Sequence, residues 1–122
     1  MSIRILAIDD SRTIREMLRH CLTQGGFEVH VAEDGVDGIE KLPEVDPDVV
    51  ITDINMPRMD GFGVIDTIRA AAEYAGLPIL VLTTESAQDL KDRARKSGAT
   101  GWIVKPFDDA KLIGTIRRIT VA

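Results

Sequence analysis

Asp9, Asp10, Asp53, Thr83 and Lys105 each stand at the end of a short apolar run, and together they could do chemistry. The runs Ile3 to Ile8, Val49 to Ile51, Ile79 to Leu82 and Trp102 to Val104 are apolar and rich in β-branched residues, as in buried strands. Pro57 stops any continuation of the strand that reaches Asp53. Three carboxylates brought close together repel unless protons or a cation join them. An oxygen-only set without histidine or thiol favours a hard ion, and Mg2+ accepts one or two carboxylates, water and a phosphate oxygen. A lysine and a hydroxyl alongside suit the other oxygens of a phosphoryl group. One of the carboxylates could then be a nucleophile that becomes an acyl phosphate. A plainer reading makes each acid a helix cap and gives Lys105 a salt bridge. It accounts for any one of these residues but not for all five together.

Convergence requires a scaffold that brings strand ends to one edge. The spacing predicts strands at Ile3–Ile8, Phe27–Ala32, Asp48–Asp53, Pro78–Leu82 and Gly101–Val104. Between them lie helical patterns. The first, capped by Asp10 or Ser11, carries Ile14, Met17, Leu18, Cys21 and Leu22 and stops at Gly25-Gly26. The second carries Val36, Ile39 and Leu42 and ends near Pro43; the third carries Val64, Ile65 and Ile68 and runs towards Tyr74, closed by Gly76. The fourth, from about Ala87 to Lys96, has a thin inner stripe of Leu90 and Ala94 and ends at Gly98. The last is capped by Asp108 or Asp109 and buries Leu112, Ile113, Ile116 and Ile119. Strands alternating with helices predict an α/β fold: a doubly wound, five-stranded parallel sheet flanked by five helices. The polar face of the second strand puts it at an edge. Ligands bind such sheets at the carboxyl ends of the strands, where the winding reverses.

Composition narrows the classes. At 122 residues the chain is expected to be one domain spanning 1–122. A net charge of -5 argues against nucleic acid as a partner and fits proteins or small charged groups. The single cysteine, Cys21, allows no internal disulfide and is expected in the core, which fits a cytoplasmic setting. No signal-peptide core is recognisable, and no apolar run approaches the about 18 residues of a membrane span. His20 and His30 have no metal-ligand spacing, and Met56 and Met59 are expected to pack.

The motifs Asp9-Asp10-Ser11-Arg12, Thr52-Asp53-Ile54-Asn55-Met56-Pro57-Arg58-Met59-Asp60-Gly61, Leu82-Thr83-Thr84 and Lys105-Pro106-Phe107 together resemble the receiver domain of bacterial response regulators. The resemblance covers the whole chain, with the motifs in order, and the length is similar to that of stand-alone, CheY-like receivers of chemotaxis. It implies a flavodoxin-like sheet ordered 2-1-3-4-5. It implies that Asp53 accepts a phosphoryl group from the phosphohistidine of a sensor histidine kinase. Asp10, Asp53 and the Asn55 carbonyl would hold Mg2+, with Asp9 acting mainly through a water on the ion. Thr83 and Lys105 would bind phosphoryl oxygens, and a cis Lys105-Pro106 bond would aim the lysine inward. Thr83 and Trp102 would form the switch, the indole standing where tyrosine or phenylalanine is usual. Thr84 stands where a smaller residue is common, and its branch is expected to narrow the space beside Thr83. Asn55 and Glu85 occupy positions that tune hydrolysis, and both can orient a water, which predicts a short-lived phosphate.

A receiver is a phosphorylation-controlled switch more than a turnover enzyme, phosphorylating and dephosphorylating itself in cis. Its downstream protein target, a flagellar motor switch or another, would be met through the fourth helix, fifth strand and fifth helix. The basic residues Lys91, Arg93, Arg95 and Lys96 are a candidate part of that face, beside Trp102, although a solvated helix face also explains them. Alternatives are a phosphate carrier or sink in a relay, a phosphoaspartate-type phosphatase and an FMN protein. The phosphatase requires a second acid where Asn55 stands. The FMN protein requires a phosphate-cradling loop where Asp9-Asp10 would repel the phosphate.

Overall fold

Alternation of buried side chains sets how the apolar strands sit. In the computed structural model, which describes residues 2–120, Ile5 and Ala7 of β1 (Arg4–Ile8) face one side of the sheet, and Leu6 and Ile8 the other. β3 (Val49–Thr52) and β4 (Ile79–Thr83) divide in the same way, with Val50, Ile79 and Val81 opposite Ile51, Leu80 and Leu82. Strands buried on both faces belong inside a parallel sheet covered by helices. β2 (Glu28–Ala32) and β5 (Gly101–Val104) keep some exposure and form the edges. The order is β2-β1-β3-β4-β5, and every pair is parallel. This is the doubly wound arrangement that the sequence leads one to expect. The outermost positions of the expected 1–122 domain, residues 1 and 121–122, lie outside the described residues.

α1 (Arg12–Gln24) and α5 (Asp109–Thr120) cover one face, where Leu18, Cys21, Leu22, Leu112 and Ile116 meet the sheet. α2 (Gly35–Val45), α3 (Gly61–Ala70) and α4 (Gln88–Ser97) cover the other through Leu42, Ile65, Ile68 and Ala94. Met56 and Met59 pack against this second side, as expected. His20 is exposed, and His30 pairs with Glu28 at 2.8 Å on the edge strand. Among the described residues, no helix is long and apolar enough to cross a membrane.

β1, β3, β4 and α4 differ from the sequence reading by a single residue at one or both ends, and three other differences have a visible cause. α2 continues past Pro43 to Val45 and ends where Asp46 turns left-handed, with φ 50°. A proline in the last turn removes one helical hydrogen bond but leaves the remaining packing in place. α3 stops at Ala70, because Ala71 is extended, and a separate 3-10 turn covers Ala72–Tyr74. The Arg69 guanidinium holds that corner, donating to the Tyr74 carbonyl at 2.9 Å and to the Gly98 carbonyl at 2.9 and 3.1 Å. Phe27 precedes β2 rather than joining it. It is buried in the turn after α1, where its N–H donates to Leu22.

Candidate functional site: an acidic crevice at the sheet edge

Register fixes which residues emerge together. Thr52 aligns with Ile8 on one side and Val81 on the other, and Thr83 aligns with Val104. The residues that follow these strands, Asp9, Asp53 and Lys105, therefore leave the sheet along one edge. From β1 the order runs to β2 on one side and to β3 on the other. That reversal opens a crevice beside Asp9 and Asp53.

Within the crevice, carboxylate oxygens of Asp9, Asp10 and Asp53 lie within 4.8 Å of one another. Asp9 and Asp53 are buried and Asp10 is exposed. Lys105 Nζ donates to Asp9 Oδ2 at 2.7 Å and to Asp53 Oδ2 at 2.9 Å. The other oxygens are also engaged: Asp9 Oδ1 accepts from Ser11 N–H at 2.9 Å, and Asp53 Oδ1 from Ile54 N–H at 2.6 Å. The Lys105-Pro106 bond is cis.

These contacts can be set against the plain reading of caps and a salt bridge. The N-termini of α1, α2 and α3 are capped by Ser11, Asp34 and Asp60, and Asp108 accepts from Lys111 N–H at the start of α5. None of the three crevice acids caps a helix. Lys105 does form salt bridges, but with the acids of the crevice itself.

Burial raises the Asp9 carboxyl above its ordinary value, and the nearby Asp53 charge adds to this. Hydrogen bonds from Lys105 and Ser11 and the Lys105 charge only partly counter it. For Lys105, burial pulls downward, but hydrogen bonds and charge from Asp9 and Asp53 outweigh it, and the ammonium ends above its ordinary value. The stabilisation from Lys105 is therefore fully present below pH 10.5 and is lost as the pH rises through the raised value.

Three carboxylates against one ammonium leave a formal excess of two negative charges. An all-oxygen set of carboxylates with that excess fits a divalent hard cation. Thr83 is fully buried, and its hydroxyl accepts from Glu85 N–H at 3.3 Å instead of meeting the acids. Asn55 and Glu85, both expected to orient a water, are joined: Asn55 Nδ2 donates to Glu85 Oε1 at 2.9 Å. The half-buried Trp102 packs on the α4 side of the core and donates from Nε1 to the Glu85 carbonyl at 3.0 Å. Glu85 thus touches both the crevice rim and the edge strand.

Two expectations need correction. Thr84 is exposed, so its branch does not narrow the buried space beside Thr83. The basic residues of α4 do not form one cluster beside Trp102. Lys91 and Arg95 line the groove that Trp102 shares, whereas Arg93 and Lys96 turn to the other side. There the Arg93 guanidinium lies 3.8 Å from the Phe62 ring centroid. Successive helical residues are about 100° apart, so a run of charges cannot share one direction.

Other supporting residues escaped the sequence. Thr52 Oγ1 donates to the Asp53 carbonyl at 2.8 Å, and Arg15 donates to the Asp9 carbonyl at 2.8 Å. Arg58 grips Asp34 with two hydrogen bonds, at 2.8 and 3.0 Å. No local pattern announces a pair 24 residues apart.

Comparison with known proteins agrees with this geometry. Residues 5–117 match the model of the response regulator receiver domain. The response regulator MprA of Mycobacterium ulcerans is 37% identical over 119 residues, covering 98% of this chain and 50% of that protein. The chain thus spans about half the length of the curated relatives it matches. The chemotaxis protein CheY4 of Vibrio cholerae superposes with a TM-score of 0.93 at 41% identity, over 98% of this chain and 99% of that one. The receiver domain of the sensor histidine kinase PA1611 of Pseudomonas aeruginosa, with magnesium coordinated in its cleft, gives 0.90 at 23% identity, covering 98% of each chain. Sequence, sheet order and crevice lead to one conclusion: the chain belongs to the response regulator receiver family and is a unit of single receiver-domain size.

Proposed function

We propose that Asp53 is the phosphoacceptor of a two-component signalling switch. The observation that carries this reading is the Lys105 ammonium bridging Asp9 and Asp53 in a crevice with a third carboxylate. Oδ2 of Asp53 attacks the phosphorus of a phosphohistidine on a sensor kinase, or of acetyl phosphate. A P–O bond forms, the P–N bond of the histidine (or the bond to acetate) breaks, and the electron pair leaves with the donor. The product is an acyl phosphate on Asp53. When bound, Mg2+ would offset charge on the transferring phosphoryl oxygens. Asp10, Asp53 and the Asn55 carbonyl would hold it, with Asp9 acting from behind, which the grouping of the three carboxylates supports.

Lys105 reorients from its two carboxylates to a phosphoryl oxygen, and the Thr83 hydroxyl leaves Glu85 N–H to donate to another. Glu85 contacts both Thr83 and Trp102, so moving the first disturbs the second. The output face of α4, β5 and α5 then changes its affinity for a protein target. Likeness to the chemotaxis protein CheY4 favours a chemotaxis role over a carrier or sink in a relay, and for that role we take a cytoplasmic setting and a flagellar motor switch as the target. Phosphatase chemistry has no support, since the Asn55 amide, unlike a carboxyl group, cannot release and recover a proton as a general acid and base.

Replacing Asp53 by Asn is expected to abolish Mg2+-dependent labelling by acetyl phosphate; retained labelling contradicts the assignment. Retention of motor switch proteins on the phosphorylated chain alone supports the chemotaxis role, and equal retention by both forms contradicts it.

A further inference from the structure

The segment that leaves Asp53 and carries the Asn55 carbonyl past the crevice is held from an unexpected direction. Arg58, within it, has φ 66°, a left-handed backbone uncommon outside glycine. The short turn closed by Met59 N–H on the Pro57 carbonyl sets that conformation, and the Arg58 side chain it presents meets Asp34, the buried N-cap of α2. Its Oδ2 accepts from Arg58 Nε at 2.8 Å. Its Oδ1 accepts from both Arg58 Nη2 at 3.0 Å and the cap N–H of Asp37 at 2.9 Å. Arg58, the largest influence, holds the Asp34 carboxyl below its ordinary value, so the pair is fully charged at neutral pH. A planar guanidinium on a carboxylate in this two-point geometry fixes direction as well as distance.

A second observation points the same way. A Cβ on Gly35, the next residue after Asp34, would collide with the Met59 carbonyl and side chain. The start of α2 therefore abuts the same segment that Arg58 grips. Inside the segment, Met59 N–H donates to the Pro57 carbonyl at 2.7 Å and Gly61 N–H to the Ile54 carbonyl at 2.8 Å. Those bonds shape the turn but tie it only to itself and to the end of β3. The tie to α2 runs through Arg58 and Asp34.

We propose that the Asp34–Arg58 pair positions the Ile54–Asp60 segment, so that α2 holds the Asn55 carbonyl where it can serve as a cation ligand beside Asp53. Arg58 is a positioning residue here, since it does not touch the reacting atoms. The inference rests on the phosphoacceptor reading and adds to it a dependence of cation binding on a helix remote from the crevice chemistry.

Calorimetric titration of the full chain with Mg2+ alone tests it, alongside thermal unfolding without Mg2+. Arg58→Gly removes the grip and relieves the left-handed backbone, and Asp34→Asn removes the charge but keeps an acceptor for the cap. Each is expected to raise the Mg2+ dissociation constant about tenfold, as loss of outer support at a metal site does, while Tm shifts little. Arg58→Lys, which keeps the charge without the fork, is expected in between. The double variant should bind no more weakly than Arg58→Gly, because the two residues act as one unit. Wild-type Mg2+ affinity in both single variants, or losses that add in the double variant, overturns the positioning role and leaves Asp53 as phosphoacceptor untouched. Failure of the wild-type chain itself to bind Mg2+ overturns the underlying reading instead.

Discussion

Asn55 and Glu85 show how much a single contact changes at the residue scale. Read separately, each polar side chain offers a group to orient an attacking water. Joined at 2.9 Å, they form one rim element beside Asp53. The expected consequence is still a short-lived acyl phosphate, with decay depending on both residues. Decay of the phosphorylated chain after donor removal measures this. Asn55→Ala and Glu85→Ala should each lengthen the lifetime several-fold, and the double variant should add little. A wild-type lifetime of many hours contradicts the idea. Cys21 is the contrasting case, a residue with reactive chemistry that the fold suppresses. Burial foremost, with the charge and hydrogen bond of Asp109, pushes its thiol up to about 11. It stays protonated and shielded at neutral pH. The native protein should be silent to a thiol reagent at pH 8, and stoichiometric labelling without unfolding contradicts this.

At the scale of elements, the crevice depends on how closely α3 approaches the end of β3. Gly61 opens α3, and a Cβ there would strike the Asp53 carbonyl and the backbone of Ile54. Gly61→Ala should cost about 2 kcal/mol through overpacking, read as a lower denaturant midpoint at unchanged slope. An unchanged midpoint would show that the approach is looser than the structure has it. The strands were legible in the sequence because burial on two faces leaves a continuous apolar run, as in Val49-Val50-Ile51. Helix ends were less legible. Nothing local to Ala71 shows that α3 breaks there, since the Arg69 contacts that hold the corner reach the Gly98 carbonyl, 29 residues away. The basic run of α4 was legible as a run but not as a face, because which residues turn towards Trp102 depends on where Ala94 packs.

On the scale of the whole molecule, the site exists because one parallel sheet brings distant residues to one edge. Lys105 and Asp9 are 96 residues apart and 2.7 Å from each other. Their convergence could be read from the sequence, because strand ends in a doubly wound sheet share an edge whatever lies between them. The Asp34–Arg58 tie and the Glu85 link from crevice to Trp102 could not, because both arise from loops whose paths only tertiary packing sets. The central claim is that all of this positions a single nucleophilic carboxylate. Its most direct measurement is to phosphorylate the full chain with acetyl phosphate and Mg2+, reduce the acyl phosphate with borohydride and locate the product by peptide mass spectrometry. The account predicts homoserine at position 53 and nowhere else. Homoserine at position 9 or 10, or a borohydride-resistant phosphate on histidine or serine, would contradict it.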